Sequence, residues 1–70
     1  MNFENITKAT LIIFDELKDD SESKDIIQMI DESEDDSNIQ KGLRLALERL
    51  EVLGKITLVS DLRDKLKGFI

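Results

Sequence analysis

The residues best equipped for chemistry lie in one acidic run, DESEDDSN at 31–38, which holds Asp31, Glu32, Glu34, Asp35 and Asp36. Acidic side chains at alternate positions are how a calcium loop delivers its oxygen ligands. Counted from Asp31, the register supplies Asp31, Ser33 and Asp35. It then puts Asp36 where the turn needs glycine and Gly42 where a bidentate glutamate must close the loop. Both diagnostic positions fail, so the run reads as a solvated loop that caps the next helix.

No other residue group offers a better start. The sequence contains neither His nor Cys, which removes the commonest general base and the strongest nucleophile. The same absence takes away disulfides and the usual structural zinc ligands. Serines and threonines are present, but no glycine-rich elbow or phosphate loop surrounds them. A catalytic carboxylate pair needs two unlike environments, and nothing in the pattern buries an Asp or Glu. The expectation is a protein that is not an enzyme, with no cofactor, no metal and no small-molecule substrate.

Charge narrows the partners. The formal net charge is −6, and it is unevenly spread. Residues 1–37 carry Lys8, Lys18 and Lys24 against twelve Asp and Glu, a net of −9. Residues 38–70 carry seven Lys and Arg against Glu48, Glu51, Asp61 and Asp64, a net of +3. An acidic half joined to a mildly basic half is explained first by docking of the two within the molecule. Direct nucleic-acid binding is disfavoured, because the basic residues alternate with acids and no Tyr or Trp is available for stacking. No apolar run approaches the ~20 residues of a membrane span. The opening MNFENITKAT lacks the features of a secretory signal, so the cytoplasm is the expected compartment.

The elements that must position these groups are helical. With no proline and only three glycines in 70 residues, the chain reads as one domain near the lower size limit for folding alone. The organising segment is Ser37 to Gly54. Ile39, Leu43, Ala46, Leu47, Leu50 and Leu53 fall on one stripe at spacings of three and four, while Leu45 and Val52 lie behind it. Ser37 and Gln40 form a capping-box pattern, and Gly54 suits a left-handed helix end. Gly42, near the start, marks either a close helix contact or nothing in particular.

Around this helix three others are expected. Asn2 can cap a first helix over about 2–19, with Phe3, Ile6, Ala9, Ile13, Phe14 and Leu17 on a broad face. Its TLIIF core would pass for a strand in isolation, but helical spacing continues on both sides. Asp19 with Glu22, or Ser21, can cap a short helix over 22–33 that uses Ile26, Ile27, Met29 and Ile30. Thr57 or Ser60 can cap a last helix over 57–68 with Leu58, Val59, Leu62, Leu66, Phe69 and Ile70 inside. The prediction is an all-α fold, a small bundle of four short helices with a C-terminal antiparallel helical hairpin. Leu43, Ala46, Leu50, Leu62 and Leu66 should sit at its centre.

The segment ALERLEVLGKITLVSDLRDKL (46–66) resembles the late helices of death-effector-type adaptor domains, where two leucine-rich helices flank a glycine. The resemblance covers about a third of the chain and implies a larger domain of six helices. The terminal Arg-x-Asp-Leu motif of that family stands here as Arg63-Asp64-Lys65-Leu66, without the acid, so no functional residue is carried over.

What remains is protein binding. Leu11 and Ile12 on the first helix, with Leu45 and Val52 on the central one, are large aliphatics off their main stripes. They are the candidate partner-binding residues of a non-catalytic interaction or regulatory module, whose partner is itself, as a homodimer, or a heterologous protein. The alternative is an acidic nucleic-acid mimic that uses Asp31, Glu32, Glu34, Asp35 and Asp36 to occupy a basic groove on a DNA- or RNA-handling protein.

Overall fold

A computed structural model describes residues 3–70, so the expected cap at Asn2 lies outside the described residues. Four α-helices follow in order: α1 (Phe3–Leu17), α2 (Lys24–Glu32), α3 (Asp36–Val52) and α4 (Ile56–Lys65), with a 3-10 turn at Ser21–Ser23. No strand occurs among the described residues. The fold is an all-α small bundle.

Tertiary burial decides TLIIF in favour of helix. Ile6, Ala9, Ile13 and Leu17 recur at helical spacing and are the buried residues of α1. The β-branched neighbours are accommodated locally: the hydroxyls of Thr7 and Thr10 donate to the carbonyls of Phe3 and Ile6, four residues back, at 3.1 and 2.8 Å. Such back-bonds satisfy a polar side chain inside a helix. The core joins these residues to Ile30, Leu43, Ala46, Leu47, Leu50, Val59, Leu62 and Leu66. All five side chains predicted for the centre, Leu43, Ala46, Leu50, Leu62 and Leu66, are wholly buried.

The helix ends correct several expectations. Helix α3 begins earlier than predicted, because Asp35, not Ser37, is its cap and accepts from the Ser37 N–H at 3.0 Å. The turn before it is tied by the Asp35 N–H donating to Ser33 Oγ at 3.2 Å. Gln40 therefore does not reach back to a cap. Its side-chain amide crosses the molecule and donates to the Phe69 carbonyl at 2.7 Å. Before α2, Asp19, Ser21 and Glu22 do not form a capping box. A 3-10 turn intervenes, and no side chain caps it or the helix. Helix α4 starts at Ile56 and ends at Lys65, with neither Thr57 nor Ser60 as its cap.

The far end of α3 follows expectation. Gly54 has φ +84, and the N–H groups of Gly54 and Lys55 donate to the carbonyls of Glu51 and Leu50, both at 2.9 Å. This is a Schellman closure, which consumes carbonyls the helix leaves unpaired. After the short connection through Leu53, Gly54 and Lys55 the chain returns: Arg63 meets Glu51 at 2.9 Å near the turn, and Phe69 meets Gln40 at the other end.

Gly42 marks a close contact. A Cβ placed there would stand 2.6 Å from Ile30 Cγ1, so α2 approaches α3 as closely as only glycine allows.

Candidate functional site

Two ionic links dock the acidic half of the chain onto the basic half. Arg49, on α3, grips Asp20 with Nε–Oδ2 at 2.6 Å and a second guanidinium nitrogen to Oδ1 at 3.0 Å. Its remaining nitrogen reaches Glu22 at 3.1 Å. The buried Ser23 hydroxyl also donates to Asp20. The Arg49 hydrogen bonds, then that of Ser23, hold the Asp20 carboxyl well below the usual carboxylate range, and Asp20 in turn raises the Arg49 pKa. Lys55 reaches Glu16 at 2.8 Å. These contacts are structural: they fix the start of α2 and the α3–α4 turn against the end of α1. The sequence pattern contained the charge asymmetry that produces them, but not the pairing.

The four expected partner-binding residues are not brought together. Leu11 is 61% exposed and Val52 is 74% exposed, while Leu45 is half-buried and Ile12 is packed against the core. At about 100° per residue, Leu11 points almost directly away from the buried Ile6, Ala9, Ile13 and Leu17, while Ile12 stands to one side of them. Leu11 lines the same depression as Ile39, near the start of α3. Val52 ends the same helix, about 20 Å further along its axis. There it joins exposed Leu53 and Ile56 in a small apolar tip at the α3–α4 turn. Leu53, placed on the central stripe by its spacing, is 40% exposed because α3 ends just before it.

Leu11 instead belongs to a groove. Helices α1 and α2 both rest on α3 but barely touch each other. Between them lies a depression of about 260 Å³, lined by Phe3, Ile6, Thr7, Thr10, Leu11, Ile30, Asp36, Ile39 and Phe69. Phe3, expected within the buried face of α1, is 78% exposed at its edge. A wider depression of about 510 Å³ adjoins it, lined by Phe14, Lys18, Lys24, Ile27, Gln28 and Asp31. The two meet along both walls, since Leu11 and Phe14 on α1, and Ile27 and Ile30 on α2, are each three residues apart. From Phe3 to Lys18 the α1 wall is about 22 Å long at 1.5 Å per residue.

The acidic run borders this groove. Asp31, Glu32, Glu34, Asp35 and Asp36 are all exposed, with Asp36 in the wall of the first depression and Asp31 in that of the second. Glu32 accepts from Gln28 at 3.0 Å, and Asp35 is occupied as the α3 cap. Among the described residues, no three His, Cys, Asp or Glu side chains are placed to hold a metal ion. A third, polar depression on the other side of α2 is lined by Asp25, Gln28, Met29, Glu32, Ser33 and Asn38.

Compared with family models, with curated proteins and with solved structures, the chain matches none. The resemblance of 46–66 to death-effector-type domains therefore has no counterpart there, and the described residues form four α-helices, not six. No described helix is long and apolar enough to cross a membrane.

Proposed function

We propose that this protein is a non-catalytic interaction module that docks another protein in the groove between α1 and α2. One observation carries the reading: the groove joins Phe14, Ile27, Ile39 and Phe69, all only partly buried, to an exposed lip of Phe3 and Leu11. Isolated exposed aliphatics need no explanation, but a contiguous apolar depression rimmed by polar side chains is a common form of docking site. The absence of His and Cys supports the same reading over a catalytic one.

The test is site-specific photo-crosslinking. A photoreactive phenylalanine analogue is placed at Leu11 in one version and at Ser60, an exposed residue of α4, in the other. The proposal expects one discrete protein adduct from Leu11 and none from Ser60 in cells of the source organism. Identical products at both positions, or none at either, would remove the groove from consideration.

Acidic mimicry of a nucleic acid is the second reading, favoured by the exposure of every carboxylate between Asp31 and Asp36. It differs in salt response, because a charge-driven complex weakens steeply with ionic strength and an apolar one hardly changes.

A further inference from the structure

We infer that the occupant of the α1–α2 groove is a basic amphipathic helix of a different protein. The inference rests on the docking role proposed above and specifies its partner. Three observations carry it.

The shape comes first. The groove follows α1 for about 22 Å, the length of a helix of roughly four turns, and the nine residues of α2 form its other wall for about 13 Å of that. Among the described residues no strand edge is exposed for a peptide to extend. Of the known modes of peptide recognition, this geometry fits an amphipathic helix that inserts apolar side chains spaced at three and four residues. The two depressions, about 260 and 510 Å³, would receive successive anchors: one group against Leu11, Ile30, Ile39 and Phe69, the next against Phe14 and Ile27.

Charge comes second. Both walls come from residues 1–37, whose net charge is −9. Of the two lysines that line the wider depression, Lys18 is paired with Asp15 at 3.4 Å, which leaves Lys24 against the carboxylates of the 31–36 run. The acidic run Asp31–Asp36 stands at the α2 end of the groove with every carboxylate exposed. Arg49 and Lys55 neutralise Asp20, Glu22 and Glu16 from within the molecule, but they do not reach the 31–36 run. A helix with lysines and arginines beside its apolar stripe would complement that field, and an acidic one would be repelled.

The third observation argues against the simplest occupant, a second copy. A twofold dimer through this face would set one acidic half against the other, since an isologous interface pairs the same patch with itself. The seam expected from Leu11, Ile12, Leu45 and Val52 is also broken up, because Ile12 is packed inward and Val52 lies at the opposite end of α3.

Two synthetic peptides of about 16 residues, enough to span the groove, test the inference on the full chain. Both carry leucines at i, i+3, i+4 and i+7, with lysines on the remaining face of one and glutamates on that of the other. Binding is followed by fluorescence anisotropy and by NMR shifts of Leu11, Ile27, Ile30 and Ile39. At low salt the lysine peptide should bind at least about tenfold more tightly than the glutamate peptide, with the difference shrinking as salt screens it. Leu11→Lys, at an exposed position, should weaken the lysine peptide about tenfold while circular dichroism stays unchanged. The double substitution Asp31→Asn, Glu34→Gln should weaken the lysine peptide and leave the glutamate peptide no weaker. Equal binding of the two peptides, or tighter binding of the glutamate peptide, would overturn the basic-helix inference and leave the groove as a docking site. If neither peptide shifts the groove resonances, both proposals fall. If those resonances shift with protein concentration alone, the occupant is a second copy and the inference is wrong.

Discussion

Replacing Gly42 with alanine opposes two effects whose balance can be worked from the structure. At a helical position that faces solvent, Gly→Ala stabilises by about 1 kcal/mol through backbone entropy and propensity. Gly42 does not face solvent. The new methyl would lie 2.6 Å from Ile30 Cγ1, with Ile30 Cδ1 and Met29 Sδ both at 3.5 Å. Met29 is flexible and can move. Ile30 is β-branched and buried, and Cγ1 is bound directly to its Cβ, so relief requires a changed rotamer or an outward shift of α2. Overpacking of that kind costs about 1–3 kcal/mol, which outweighs the propensity gain and leaves a net loss of up to ~2 kcal/mol. The assay is urea denaturation of wild type, Gly42→Ala, Ile30→Ala and the double variant. The coupling should be favourable, with Gly42→Ala tolerated better once Ile30 is shortened. A Gly42→Ala protein more stable than wild type by about 1 kcal/mol would show that α2 does not approach α3 at this point. Because Ile30 also lines the groove, the same shift of α2 should alter peptide binding.

Two further outcomes test the scaffold. Leu50→Ala should cost about 2–5 kcal/mol in denaturation experiments, since Leu50 is wholly buried, and a loss under about 1 kcal/mol would remove α3 from the core. The Asp20–Arg49 pair should show itself in the pH dependence of stability. Because the folded state depresses the Asp20 pKa below its ordinary 3.8, the pair contributes fully above that value and is lost as the pH falls through the lower folded one. The urea midpoint of wild type should therefore drop more between pH 5 and strongly acidic conditions than that of Asp20→Asn; equal slopes would mean the pair carries no linkage.

The sequence and the structure agree where periodicity alone decides. Leu43, Ala46 and Leu50 recur at helical spacing between a cap and a glycine, and a helix built on them has one face to bury. Leu62 and Leu66 repeat the pattern after Gly54, whose φ of +84 matches its role at the helix end. Caps were harder to place, because the run from Ser33 to Ser37 offers several side chains with the same capability, and the turn geometry selects Asp35. Leu53 has the correct spacing for the core, but spacing carries no information about where the helix stops. The groove was the least legible feature. Phe14, Ile27, Ile39 and Phe69 look like ordinary core residues in their own segments. Only the separation of α1 from α2 in the bundle leaves them lining an open crevice. Gly42, which lets α2 come close, is visible in the sequence, but its contact with Ile30 is not. Leu11 stands out because it fits no stripe, and the same criterion selects Ile12, which the bundle partly covers.

The most direct test of the central claim is an intermolecular NOE measurement on isotopically labelled protein with the unlabelled lysine peptide bound. NOEs are expected from the peptide's leucine methyls to Leu11, Phe14, Ile27 and Ile30, on both walls of the groove, and to Ile39 of α3. NOEs confined to Val52, Leu53 and Ile56 would contradict it, because the docking surface would then be the apolar tip at the α3–α4 turn.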